Sequence, residues 1–276
     1  MRLGISMNLP HTSPEEWAER HRELGLRACV LPTSDPEAVP AYAGAAARHD
    51  IVIAEVGAWS NPLSPDPEIR ARDLAFCKRQ LALAEAAGAR CCVNISGARG
   101  PVWDAGYAEN YSPETRRLLV ETVREILDAV GPRHTCYALE PMPFMHPWSP
   151  EDCLSLLEEI GRPGFAVHLD PVNLVSSAEL YFRTGDLLDR CFRLLGPQIR
   201  SCHLKDVTLD HGGTLLLREV PCYEGGFDLD RYLTLAQECD PDMPMIIEHL
   251  PDEAAYLASV ERVEGALERL GIPYEA

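Results

Sequence analysis

Short apolar runs alternate with helix-forming segments from one end of this chain to the other, and that alternation permits very few architectures. Strands are expected near Leu3–Met7, Ala28–Pro32, Ile51–Val56, Arg90–Ile95, Thr135–Glu140, Phe165–Asp170, Ile199–Lys205 and Met243–His249. The runs are rich in Val, Ile, Leu and Cys and apolar on both faces, as strands covered on each side by helices must be. Between them, Ser13-Pro-Glu-Glu, Asp35-Pro-Glu, Asp66-Pro-Glu, Ser112-Pro-Glu, Ser149-Pro-Glu-Asp and Pro251-Asp-Glu read as helix starts. In most of these a capping oxygen precedes a proline at the first helical position and acids in the first turn. The segment from Asp66 to Ala87 carries Leu74, Cys77, Leu81 and Ala84 at helical spacing, and Gly88 stops it. No Ser- or Gly-rich linker divides residues 1–276, so one domain is expected. Repeated strand–helix units of this kind fit a closed α/β barrel, the (β/α)8 or TIM barrel, better than its competitor, an open doubly wound sheet.

In such a barrel the chemistry belongs at the C-terminal strand ends. Glu140, Asp170, His203 and Glu248 occupy those positions on the last four expected strands. A carboxylate that closes an apolar strand is costly unless its charge is compensated. Neighbouring strands lie about 4.8 Å apart, so four inward side chains can share one centre. Three carboxylates and an imidazole make a hard, oxygen-rich donor set, suited to Mn²⁺ foremost, with Co²⁺, Mg²⁺, Zn²⁺ or Fe²⁺ as alternatives. Any one of the four could instead cap the helix that follows it. All four at consecutive strand ends argue for a shared cation.

Further candidates surround this quartet. Lys205 lies two residues after His203, so strand alternation points both the same way. It could hold a substrate oxygen, or pair with Asp206. His168 also faces inward but deeper, as a core histidine or a partner behind a ligand. Glu55, at the end of the third strand, and Trp59 and Trp103, in the loops after strands three and four, are candidate substrate contacts, the two aromatic faces suiting an apolar surface of a ligand. Arg183 could meet a phosphate or carboxylate, although loop arginines are usually solvated. His211-Gly-Gly reads as a turn, as does Gly225-Gly-Phe-Asp.

The formal net charge of −18 repels phosphate polyanions and anionic membranes, so nucleic acid and membrane surfaces are poor partners. The ten cysteines sit mainly in strand-like and helical runs, without a Cys-x-x-Cys pair. They read as buried thiols in a reducing cytoplasm. No apolar stretch approaches the roughly 18 residues needed to span a bilayer.

The segments Leu139-Glu-Pro-Met-Pro, His168-Leu-Asp-Pro-Val-Asn, Cys202-His-Leu-Lys-Asp and Ile247-Glu-His resemble those of xylose isomerase-like barrels, the sugar phosphate isomerase/epimerase family. That superfamily includes ketose 3-epimerases, hydroxypyruvate isomerase, inosose dehydratase and endonuclease IV. The resemblance covers essentially the whole chain. It implies a metal centre at Glu140, Asp170, His203 and Glu248, with Glu140 and Glu248 also acting as the acid/base pair. It makes a homo-oligomer plausible, since dimers and tetramers are common in the family. Two departures bear on the substrate: ketose 3-epimerases carry a further acid where this chain has His146, and a histidine where it has Asn173. His146 and Asn173 are therefore candidate substrate contacts of a different kind. Endonuclease IV needs extra histidines for a trinuclear zinc site, and here Asn173, Glu55 and Asn94 stand at positions where they would be expected.

The function implied is a metal-dependent isomerase or epimerase of a small keto-sugar or related polyhydroxy carbonyl compound, working by proton transfer through a metal-stabilised enediolate. A dehydratase of a keto-polyol on the same scaffold is the alternative, with Lys205 or His146 assisting departure of the hydroxyl. A metal-dependent hydrolase and a non-catalytic sugar-binding module rank below it.

Overall fold

The apolar runs pair as parallel strands and close on themselves. The computed structural model describes residues 1–210 and 212–274. Its barrel strands are β1 (Arg2–Ile5), β2 (Ala28–Val30), β3 (Val52–Gly57), β4 (Cys91–Asn94), β5 (Tyr137–Leu139), β6 (Phe165–Leu169), β7 (Ile199–Leu204) and β10 (Pro244–Ile247). They follow one another round the barrel in chain order, and β10 closes it between β7 and β1. The remaining strands, β8 (Asp206–Asp210) and β9 (Leu216–Val220), form an antiparallel hairpin outside the barrel. The helices that cover the barrel are α1 (Pro14–Glu23), α2 (Val39–Arg48), α3 (Pro67–Ala87), α4 (Pro113–Val130), α5 (Pro150–Ile160), α7 (Thr184–Leu195), α8 (Leu229–Cys239) and α9 (Glu253–Leu270), with one short turn of helix, α6 (Ala178–Tyr181).

The helix starts have the expected chemistry. Ser13, Asp66, Ser112, Ser149 and Asp252 each accept a hydrogen bond from a backbone N–H of the first turn, satisfying donors that a helix end leaves unpaired. Asp35-Pro-Glu departs from this pattern. There the Asp35 side chain accepts from the Glu37 amide at 3.0 Å to make a turn, and α2 begins only at Val39. Gly88 ends α3 in the left-handed region, at φ 65°.

Large apolar side chains fill the layer between strands and helices, Trp17, Leu81, Leu119, Ile126, Leu139 and Tyr232 being among the most deeply buried. Small residues of the barrel strands form separate clusters, Ala28 and Ala54 with Ile246, and Cys91, Ala138 and Ala166 with Val93 and Cys136. Two breaks in register change which residues face inward. Cys29 pairs with Ile53 but Val30 with Glu55, so Ala54 is an extra residue in β3. Val167 pairs with Ile199 but His168 with Ser201, so Arg200 is an extra residue in β7. Such bulges shift the strand's alternation by one and re-aim the side chains beyond them. After them, Glu55 points into the barrel, while Ser201 and His203 share one face of β7, with Lys205 just beyond its end, and Cys202 and Leu204 pack against the helices.

All ten cysteines are free thiols, and Cys239 alone of them is exposed. Among the described residues no helix is long and apolar enough to cross a membrane. His211, expected in a turn, lies outside the described residues, whereas Gly225 and Gly226 do lie in a turn ahead of α8.

Candidate metal centre

Four strand ends deliver the centre. Glu140 follows β5, Asp170 follows β6, His203 lies near the end of β7 and Glu248 follows β10. These strands are consecutive around half the barrel, so the quartet closes over one arc of the rim. His203 Nδ1 lies 3.1 Å from Glu248 Oε2, 3.5 Å from Glu140 Oε1 and 3.7 Å from Asp170 Oδ2. One donor atom from each of the four lies within 4.8 Å of the others, and all four residues are buried. Among the described residues, His203 Nδ1 has no well-aligned hydrogen bond, and Asp170 Oδ2 meets the Lys205 ammonium at 2.7 Å. A buried ring nitrogen left in this way is rare, and a cation among the four donors would satisfy it. The donor set therefore fits a divalent ion.

The surroundings hold the quartet in place. The Tyr232 hydroxyl of α8 lies 3.1 and 3.2 Å from the carbonyl oxygens of Leu169 and His203 and ties the ends of β6 and β7 together. The other oxygen of Asp170 accepts from the backbone amides of Val172 and Asn173, at 3.0 and 3.3 Å. Asn173 Nδ2 donates to Glu140 Oε1 at 2.8 Å. On the far side of the imidazole, Glu55 Oε1 lies 3.5 Å from His203 Nε2. A carboxylate behind a metal-ligating histidine fixes the ring's orientation and raises its basicity. His168 stacks edge-on against His203 with ring centroids 4.0 Å apart, and its Nδ1 is 2.5 Å from Ser201 Oγ.

The charges in this pocket are strongly coupled. Burial pushes the Glu140 carboxyl up to about 7 despite the opposing pull of His203. Burial also opposes charge on His203, but Glu248, Glu140 and Glu55 outweigh it and raise its pKa in the metal-free protein. Burial pushes the His168 imidazole down to about 4, which keeps it neutral. Lys205 is buried as well, and the carboxylates around it overcome the cost of desolvating its charge.

The structure distributes the sequence candidates unevenly. Glu140, Asn173, His203, Glu248, Glu55, Trp59 and Trp103 line one cavity of about 410 Å³ at the mouth of the barrel. His168 is fully buried and does not line it. Lys205 likewise lies behind the lining: its Nζ is 2.7 Å from Asp170 and 2.8 Å from both Glu248 and Glu219. It ties carboxylates together rather than facing a ligand. Its partner is not Asp206, whose carboxylate instead accepts from the amides of Val207, Gly225 and Phe227. His146 is held away from the cavity, with Nδ1 2.8 Å from Asp152 and its ring against Trp148.

Two of the lining residues that were not anticipated stand beside the quartet. Glu219, on β9, receives Lys205 on one oxygen and lies 2.8 Å from His249 Nδ1 on the other. The signal for its hairpin was present, as Gly212-Gly213 between two strand-forming runs. His249 follows Glu248 with φ 58°, a left-handed conformation that is uncommon for a residue with a side chain and is often found at functional sites. That conformation leaves His249 Nε2 3.4 Å from Glu248 Oε2.

Comparison with known proteins agrees with this architecture. Residues 10–266 match the family model described as xylose isomerase-like TIM barrel. A stretch of 140 residues is 31% identical to a probable endonuclease 4 of Symbiobacterium thermophilum, covering 47% of this chain and 48% of that protein, so the match spans about half the length of each. Among solved structures, the D-psicose 3-epimerase of Clostridium cellulolyticum H10, with D-tagatose, superposes with a TM-score of 0.68 at 15% identity, over 98% of both chains. The probable 3-DHS dehydratase of Bacillus anthracis gives 0.72 at 17%, over 96% of this chain and 99% of that one. A xylose isomerase-like TIM barrel protein of Mycobacterium smegmatis, in complex with magnesium, gives 0.67 at 18%, over 98% and 96%. At such identities these structures establish a shared fold. Because the family model spans nearly the whole barrel, the chain belongs to the xylose isomerase-like TIM barrel family.

Proposed function

We propose that this protein is a divalent-metal-dependent isomerase or epimerase of a small keto-sugar or related polyhydroxy carbonyl compound. The observation that carries the reading is the buried Glu140–Asp170–His203–Glu248 cluster, with His203 Nδ1 short of a hydrogen bond, opening onto a cavity walled by Trp59 and Trp103. A divalent ion, when bound there, supplies Lewis-acid polarisation of a carbonyl and its neighbouring hydroxyl, which acidifies the C–H between them. Mn²⁺, Co²⁺ and Mg²⁺ suit the hard donors best. Glu140 and Glu248 reach the cavity from the two ends of a four-strand arc, so one can remove the proton and the other return it. Asn173 holds Glu140 in position, and Lys205 holds Glu248. The tryptophan faces would seat the C–H face of the substrate and exclude water.

A dehydratase reading shares the proton abstraction and is favoured by one observation. His249 faces the cavity beside Glu248 and could protonate a departing hydroxyl, a role for which Lys205 and His146 are poorly placed. A DNA substrate, which the endonuclease match brings to mind, is opposed by the net charge of −18. A cytoplasmic location is consistent with the ten free thiols.

The test is exchange of the substrate α-proton in D₂O across a panel of keto-sugars, with protein stripped by EDTA and then reloaded with Mn²⁺ or Co²⁺. Exchange is expected to vanish on stripping and return on reloading, with product mass unchanged. Full exchange by a metal-free preparation refutes the proposal, and loss of water from the product selects the dehydratase.

A further inference from the structure

We infer that the ligand of this cavity is an uncharged polyhydroxy compound, and that Glu219 on the β8–β9 hairpin discriminates against phosphorylated or carboxylated analogues. This rests on the reading of the site given above and adds the charge class of its substrate.

The cavity is lined by Glu55, Asp104, Glu140, Glu219 and Glu248, and Asp170 lies directly behind them. Among the described residues the basic groups in the lining are two histidines, His203 and His249, too few to balance these six carboxylates. Among the described residues that line the cavity, none is lysine or arginine. Lys205 has three N–H donors, and its Nζ already lies within 2.8 Å of Asp170, Glu219 and Glu248, so it has none to offer a ligand phosphate. Arg183, the loop arginine after β6, pairs with Asp186 and Glu179 in solvent and does not line the cavity. A bound divalent ion, Lys205 and a protonated His249 together bring four positive charges against six carboxylates, so the field in the cavity stays negative. His249 faces it, but its ring nitrogens already meet Glu219 and Glu248.

Such a site suits hydroxyl groups. Each carboxylate oxygen has spare lone pairs, and a sugar hydroxyl can donate to them. Trp59, Trp103, Ile95 and Val30 provide apolar wall for the C–H face between the hydroxyls. An anionic group brought among these acids meets like charge in a partly desolvated cavity. Glu219 stands at the mouth, its side chain 41% exposed, within reach of an entering anion. Unlike Glu140, Asp170 and Glu248, it is not one of the four clustered ligands, so its charge can be removed without taking a ligand from the centre.

The experiment titrates Mn²⁺-loaded protein with D-fructose, D-tagatose and D-psicose, with D-fructose 6-phosphate and with 5-keto-D-gluconate, following tryptophan fluorescence from Trp59 and Trp103. Binding is read without turnover. The best neutral ketose is expected to bind about 100-fold more tightly than either anion, since like-charge juxtaposition costs several kcal/mol. Glu219→Gln is expected to narrow that ratio about tenfold by strengthening anion binding. Anion binding as tight as neutral binding, or no binding by any neutral probe, overturns the inference. An unchanged ratio in Glu219→Gln overturns the role of that residue. Neutral-selective binding without α-proton exchange leaves this inference standing and removes the proposed reaction instead.

Discussion

Replacing Glu248 with glutamine is expected to reduce α-proton exchange by about 10²–10⁴-fold, the usual contribution of a positioned acid or base. The substitution keeps the size of the side chain and an oxygen that can still accept from Lys205 Nζ, which lies 2.8 Å away in the native protein. It also removes one negative charge from a crowded acidic pocket. The far-ultraviolet circular dichroism spectrum should therefore remain that of the native barrel while exchange collapses. Exchange at the native rate would show that another group moves the proton, and His249, 3.4 Å from Glu248, would be the first to examine.

Lys205→Met should produce the largest change in stability. The Lys205 ammonium is buried and lies against Asp170, Glu248 and Glu219 at 2.7, 2.8 and 2.8 Å. Methionine fills a similar volume but leaves those carboxylates facing one another. Breaking a buried ion pair by removing one partner costs about 3–5 kcal/mol. A cation that binds only the folded protein offsets part of this by mass action, about 2.7 kcal/mol at 100 times its dissociation constant. Thermal melts with and without Mn²⁺ should thus show a large drop in Tm for the metal-free variant and a partial return on loading. A variant that melts like the native protein would show that the lysine does not hold this cluster together.

The parts that were legible in the sequence share a physical reason. Glu140, Asp170 and Glu248 each close an apolar run, where a charge needs compensation, and the fold gathers the three at one place. The barrel itself was legible because its strands are apolar on both faces and its helices open on serine or aspartate followed by proline. What was hidden depended on contacts distant in the chain. The inward aim of Glu55 follows from a bulge at Ala54, set by how β3 pairs with β2. The partners of Lys205 come from β6, β9 and β10, whereas a local reading favoured the adjacent Asp206, which is engaged by backbone amides. His146 was considered as a substrate contact from its place after β5, but Asp152, in the first turn of α5, draws its ring away. The left-handed backbone of His249 left no mark in the residue pattern.

The most direct measurement is anomalous diffraction from crystals soaked in manganese. The expected result is a single strong peak enclosed by Glu140, Asp170, His203 Nδ1 and Glu248, with Glu55 still behind the imidazole. A map with no peak between those four side chains, or with manganese only at the surface group Glu15, Glu19 and His49, would contradict the assignment of the centre and the chemistry built on it.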